Sequence, residues 1–283
     1  MPDISVIMGI YNGSRTYAAM AIDSVLNQTY TGFEYIICDD GSENTFYEWL
    51  EAYCKKDNRI RLLRNHRNRG LAYTLNRCLK QASGFWIARM DADDISLPDR
   101  LEKQVEFLRS HKNYALVGSN AYMIDAHCIW GQRRLEERPR KESFLNTSPF
   151  IHPAVMIRRE VFIKLHGYKE SQRLLRMEDY DLFLRLYAAG WRGYNLQEPL
   201  LMYREDLQAY KKRKYRYRLW ECRMRYDGYR RLGILKGNLR YVLKPLAAGL
   251  IPVAVMQKIR RKKFASDQEV MNRNPTSLTK IQK

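Results

Sequence analysis

Short β-branched runs alternate with stretches of helical apolar spacing over the first part of the chain. Ile4-Ser5-Val6-Ile7-Met8 reads as a strand, followed by the turn Tyr11-Asn12-Gly13-Ser14. Ala18 to Leu26 then carries apolar residues at helical spacing. Phe33 to Cys38 is a second strand, closed by Asp39-Asp40-Gly41-Ser42, with a helix through Phe46 to Tyr53. Ile60 to Leu63 is a third strand candidate. Leu71, Leu75 and Leu79 lie on one face of a helix spanning Gly70 to Gln81. Phe85 to Ala88 is a fourth strand, running out at Met90-Asp91. Ser96-Leu97-Pro98-Asp99 has a Ser-x-x-acid capping pattern, which predicts a helix to about Arg109. Tyr114 to Gly118 is a further strand. Strands and helices alternating at these lengths predict an α/β fold: a Rossmann-like, mostly parallel sheet flanked by helices.

Ligands of such a sheet bind beyond the carboxyl ends of its strands. Two acidic clusters fall there: Asp39-Asp40 after the second strand, and Asp91, Asp93 and Asp94 after the fourth. Acidic residues also form turns and cap helices, which is the bland reading of Asp39-Asp40. Three carboxylates within four residues repel one another unless positive charge sits among them. Mg²⁺ or Mn²⁺ answers that need with a few carboxylate oxygens, filling its other positions with water and phosphate oxygens. Such a site handles a nucleotide diphosphate.

These segments together resemble family 2 glycosyltransferases of the GT-A fold, of the kind that assembles bacterial capsule, O-antigen and lipo-oligosaccharide. The resemblance spans roughly residues 3 to 205. It rests on Ser5-Val6-Ile7-Met8-Gly9-Ile10-Tyr11-Asn12, Ser24 to Tyr30, Asp39-Asp40-Gly41-Ser42, Asn68-Arg69-Gly70-Leu71 and Ala88 to Asp94. Pro98-Asp99-Arg100-Leu101, His152-Pro153-Ala154-Val155-Met156 and Glu178-Asp179-Tyr180-Asp181-Leu182 follow in the same order. One departure is Gly9-Ile10, where many members have Pro before the Tyr-Asn pair.

The resemblance implies roles. Asp40 hydrogen-bonds a uracil or thymine ring, with Asp39 beside it, and Tyr11 and Asn12 line the nucleotide pocket. Asp91 contacts ribose or metal, Asp93 ligates the metal, and Asp94 sits near metal or donor sugar. Glu178-Asp179 supplies the catalytic base of an inverting transfer, with Asp179 as base and Glu178 orienting it or the acceptor. The bland reading of that pair is that acidic residues favour the first turn of a helix. His152 stands on the acceptor side or is a structural histidine. Arg100 approaches the diphosphate or is an exposed helix residue, the latter being favoured. Asp181 reads as a helix-face residue.

Charge changes the picture of the rest. The chain has 283 residues and a net charge of +19. Residues 1–205 carry 29 basic and 26 acidic side chains, whereas 206–283 carry 21 and 5. The expected organisation is a catalytic domain over 1–205, a basic amphipathic helical extension over 206–264 and a disordered tail over 265–283. A basic, aromatic helix is predicted over 210–231. The apolar stretch 242–256 is too short, and too broken by Lys244, Pro245 and Pro252, for a spanning helix. The extension is read as a peripheral element holding the protein on the cytoplasmic leaflet of a bacterial membrane, or as a helical cap on the body. The partners expected are a UDP- or dTDP-sugar, a polyprenyl-diphosphate-linked glycan acceptor and an anionic membrane surface, with no nucleic acid. No basic segment followed by an apolar run opens the sequence, so no secretory signal is read. Five scattered cysteines without a C-x-x-C indicate a reducing compartment, with neither disulfide frame nor zinc site. Two competing readings are a sugar-1-phosphate nucleotidyltransferase, which lacks its Gly-rich basic phosphate loop here, and a nucleic-acid binder acting through the tail.

Overall fold

The computed structural model describes residues 2–205, 215–250 and 252–265. Nine strands form one sheet. β1 (Ile4–Ile10), β2 (Phe33–Asp39), β3 (Ile60–Arg64) and β4 (Trp86–Met90) lie parallel in the order β3-β2-β1-β4. These strands are short, and all but β3 are nearly continuously apolar because both sheet faces are covered. Alternation sorts them. Val6, Met8, Tyr35, Ile37 and Ala88 face α1 (Arg15–Leu26), α2 (Asn44–Cys54) and α4 (Arg100–Ser110), while Ile7, Ile36 and Ile87 face α3 (Leu71–Gln81).

The second half of the sheet is mixed. β4 is followed across the sheet by β8 (Met156–Arg158), β6 (Leu116–Ile124), β9 (Gly193–Arg204) and the two-residue β5 (Ile95–Ser96), and β7 (Ile129–Arg133) pairs with β6. β8 is antiparallel to both its neighbours. β9 runs parallel to β6 over its whole length, with register shifts around Asn120. Helices α5 (Arg159–Lys164) and α6 (Glu178–Ala188) fill the connection between β8 and β9.

The helix predicted from Ser96 begins four residues later. Ser96 is buried in β5, where its hydroxyl accepts from the Gln28 amide at 3.2 Å, and Asp99 takes the cap position without a side-chain cap bond. Gln28 also donates to the Leu97 carbonyl and accepts from the Leu101 N–H, so this one amide shapes the turn into α4. Arg100 neither approaches a phosphate site nor lies exposed. It is buried under the sheet, donating to Gln104 and to the Arg89 carbonyl. Asp181 is likewise buried, paired with Arg185 and Lys169.

The basic extension is built into the body. α7 (Arg216–Leu232) buries Met224, Tyr229 and Leu232 in the cluster that holds Leu182 and Leu186 of α6. Gly228 permits this approach, since a Cβ there would stand 2.6 Å from Leu184 Cδ1. Arg225 is buried as well, bonded to Glu221, the Tyr229 hydroxyl and the Leu145 carbonyl. α8 (Leu239–Gly249) lies along α7, and α9 (Val253–Ala265) lies on β7 through Phe264, which meets Trp130 and the backbone of Gly131. A division at residue 205 therefore does not coincide with the core, which α7 completes. The tail expected to be disordered, 265–283, lies outside the described residues from 266 onward, as does 206–214. No helix among the described residues is long and apolar enough to cross a membrane.

Candidate active site

The carboxyl ends of β1, β2 and β4 open on one side of the sheet, and the loops after them are stapled together. Asn12 adopts φ +42 and bridges two loops: its N–H donates to Ser42 Oγ at 2.9 Å and its Oδ1 accepts from the Glu43 N–H at 2.9 Å. Its amide oxygen is held by the loop, and Asn12 stays exposed between Tyr11 and Gly13 at the cleft rim. Tyr11, beside it, is half-exposed and does line it. Asp39 is fully buried, accepts from the Ser42 N–H at 3.1 Å and pairs with Arg64 at 3.6 Å. Its other oxygen, Oδ1, has no partner among the described residues. Asp40 accepts from the Asn65 amide at 2.6 Å and from the N–H groups of Arg69 and Gly70 at 2.9 and 2.8 Å. It thereby fixes loop 65–70 where that loop enters α3. With about four lone-pair sites on a carboxylate, it keeps capacity for one more donor.

Asp91, Asp93 and Asp94 come together after β4, with one oxygen from each within 4.8 Å of the others. The positive charge that such a group requires is already partly present. Arg89, buried within β4, donates to Asp91 Oδ1. Arg204, at the end of β9, donates its backbone N–H to Asp94 Oδ1 at 2.7 Å and its Nε to the Asp93 carbonyl at 2.8 Å. Its guanidinium stacks on Tyr17 at 3.9 Å. Asp93 stands at the cleft mouth with its tip exposed. Desolvation by the cleft walls and then the charge of Asp91 push its carboxyl up to about 6. Asp94 is buried, which raises its carboxyl well above the ordinary range, and its Oδ2 has no partner among the described residues. A compact set of hard oxygen donors with one orphaned oxygen fits Mg²⁺ or Mn²⁺.

Two cavities meet at this cluster. The larger, about 860 Å³, is lined by Tyr11, Tyr17, Asp91, Asp93, Arg204 and Arg261 among others, with the loop 125–127 as its far rim. The smaller, about 290 Å³, holds His152, Glu178, Asp179, Arg133 and Arg176, and Asp91 again. Asp91 is thus a wall common to both. Glu178 and Asp179 open α6, whose first-turn N–H groups favour negative charge. Burial still pushes Glu178 up to about 7 and raises Asp179, whose main opposing influences are backbone N–H bonds and then Arg133. His152 begins a single 3-10 turn and shares a 2.8 Å hydrogen bond between its Nε2 and the Tyr168 hydroxyl. Burial, and then Arg89 nearby, hold its imidazole well below the usual range, so it is neutral at pH 7.

The structure therefore gathers Tyr11, Asp91, Asp93 and Asp94 at one chamber, and Asp91, His152, Glu178 and Asp179 at the other. It adds Arg89, Tyr17, Arg204, Arg133 and Arg176, which sequence reading did not select. Only Arg89 left a trace, as a cation in an otherwise apolar strand. The model of glycosyl transferase family 2 matches residues 5–166, more than half of the chain. The chain belongs to the family 2 glycosyltransferases. The transferase is 40% identical to the glycosyltransferase EpsE of Bacillus subtilis over 95% of its own length and 96% of that protein's. It is 39% identical to a UDP-Glc:α-D-GlcNAc-diphosphoundecaprenol β-1,3-glucosyltransferase, WfgD of Escherichia coli, over 42% of this chain and 48% of that one. A mannosyltransferase of Pyrobaculum calidifontis, solved with GDP-Man and Mn²⁺, shares its GT-A fold at 16% identity, with a TM-score of 0.62 over 95% of this chain and 84% of that one. Family membership displaces the nucleotidyltransferase reading.

Proposed function

We propose that the transferase moves a sugar from a UDP- or dTDP-sugar to a hydroxyl of a polyprenyl-diphosphate-linked saccharide, with inversion, at the cytoplasmic face of the membrane during surface-polysaccharide synthesis. The observation that carries this reading is the shared wall. Asp91 borders both the carboxylate cleft and the pocket with the Glu178-Asp179 pair, so a donor in one chamber meets an acceptor in the other at this residue. WfgD, whose name prints a UDP-sugar donor and a diphosphoundecaprenol acceptor, supports the choice of substrates.

The donor nucleotide lies against Tyr11, with Asp40 offering its remaining lone pair to a ring imide and Asp91 accepting from a ribose hydroxyl. Asp91, Asp93 and Asp94 would hold Mn²⁺ or Mg²⁺, which stabilises charge on a departing diphosphate when bound. Arg204 and Arg261 set further positive charge along the same cleft. In the smaller pocket Asp179 accepts the proton of the acceptor hydroxyl as its oxygen bonds to the anomeric carbon. The bond from that carbon to the diphosphate oxygen breaks on the opposite face, and the nucleoside diphosphate leaves with the electron pair. Glu178 and neutral His152 orient the acceptor through hydrogen bonds.

Asp179→Asn tests the base. Turnover should fall by about 10²–10⁴, the scale of lost general-base catalysis, with nucleotide affinity unchanged. Normal turnover in this variant, with loss in Glu178→Gln, reverses the assignment of the pair. The carboxylate cluster is tested separately by titrating Mn²⁺ against Asp93→Asn, where a Kd equal to that of the native protein rejects Asp93 as ligand.

A further inference from the structure

Helix α8 has three faces of different chemistry. Val242 and Pro245 are buried beneath it. Leu239 and Leu243 are 56% exposed and Leu250 is 77% exposed. At about 100° per residue Leu239 and Leu243 lie about 40° apart on α8 with half-buried Leu246 beside them, and Leu250, the residue just past the helix end, follows two turns after Leu243. Arg240 and Lys244 border the stripe on the side away from the buried face. α9 repeats the pattern: Val255 and Ile259 are about half exposed and one turn apart, and Lys258 and Lys262 are exposed one position round the helix. Residues 228–265 contain ten Lys and Arg and no Asp or Glu.

A helix packed on a folded body normally turns its leucines inward and its charges outward. Here a second apolar stripe remains after the buried face is accounted for, and its border is uniformly basic. We propose that the leucine stripe of α8, together with Val255 and Ile259 of α9, is a docking face for an anionic lipid bilayer. The helices lie in the plane of the interface, the aliphatic side chains enter the acyl boundary, and Arg240, Lys258 and Lys262 meet phosphate headgroups, while Lys244 reaches back to Asn146 at 3.3 Å. Polyanionic RNA shares the charge but not the apolar half. Single-strand binders stack bases on exposed aromatic rings, and this stripe offers aliphatic groups instead. The inference rests on the proposed lipid-linked acceptor only for its purpose. Binding to lipid requires no turnover, so the two readings fail separately.

The test is co-sedimentation of the full chain with vesicles of phosphatidylcholine alone or with about 30% phosphatidylglycerol, at low and high salt. The native protein should sediment with the anionic vesicles, weakly with the neutral ones, and less at high salt. Leu243→Asp/Leu250→Asp and, separately, Lys258→Glu/Lys262→Glu should each lower the partition coefficient by about tenfold or more. All four positions are exposed, so thermal melts should match those of the native protein. Equal partitioning of either double variant overturns the assignment of the face, and failure of the native protein to bind anionic vesicles overturns the lipid partner. Binding of a single-stranded RNA that the leucine variant retains and anionic vesicles cannot displace also overturns it, because charge alone then suffices. A protein that sediments with lipid but transfers no sugar from any UDP- or dTDP-sugar leaves this inference standing and rejects the proposed function.

Discussion

Two arginines relieve part of the repulsion among Asp91, Asp93 and Asp94 before any cation arrives, and they do so unequally. Arg89 is buried and holds Asp91 by its side chain, whereas Arg204 holds Asp94 by its backbone N–H. At the Glu178-Asp179 pair burial outweighs the neighbouring charges, and Glu178 shows the result. Its folded-state carboxyl sits at about 7 against an ordinary 4.5, so the folded protein prefers it protonated. The stability tied to that preference is complete below the ordinary value and is lost as pH rises through 7. Glu178→Gln cannot ionise. It should match the native protein in denaturant melts near pH 4 and exceed it by roughly 2–3 kcal/mol at pH 8.5. Equal stability at both pH values would show that Glu178 ionises freely. Three donors converge on Asp40, so Asp40→Ala should cost about 2–4 kcal/mol and loosen loop 65–70, read as faster amide exchange at Arg69 and Gly70. The sequence pattern located these carboxylates but not their duties. Asp39 and Asp40 are adjacent, yet one turns to Ser42 and Arg64 and the other holds loop 65–70, and only the packing of those residues distinguishes them.

At the scale of elements, legibility followed burial. β1, β2 and β4 are covered on both faces, so their apolar runs stand out, and α1 to α3 announce themselves by spacing. β5 has two residues, β8 has three, and β9 carries Glu198 and Pro199 inside the strand, so none has a period to detect. The helix start at Ser96 was misplaced because the Gln28 amide holds the Leu97 carbonyl and the Leu101 N–H, a contact 69 to 73 positions away in the chain. Turns with demanding backbones were clearer. Gly41 has φ +75, and a Cβ there would stand 2.4 Å from the carbonyl carbon of Arg67. Gly41→Ala should therefore destabilise by about 2 kcal/mol or more, since neither the dihedral nor the backbone neighbour yields cheaply. A melting temperature within a degree of native would show that the loop can move.

For the whole molecule, the charge step at residue 205 reports what a segment presents to solvent and says little of what it buries. Tyr229 is fully enclosed, with its hydroxyl donating to the Phe144 carbonyl and accepting from Arg225. Tyr229→Ala should cost about 3–5 kcal/mol. A protein ending at Glu205 should be recovered aggregated or with a cooperative transition far below that of the full chain. Sharp native-like unfolding of that fragment would restore the extension to the status of an appendage.

β6 finds its parallel partner in β9, some eighty positions later in the chain, and the core is closed by a helix later still. During synthesis, then, the first four strands and their helices can pair as they emerge, while β6 waits with one edge open until Arg204 has left the ribosome. The half of the sheet that borders the pocket of His152, Glu178 and Asp179 is assembled last. A nascent chain halted near residue 166 would present that open edge to its neighbours, the condition in which strands pair with the wrong chain.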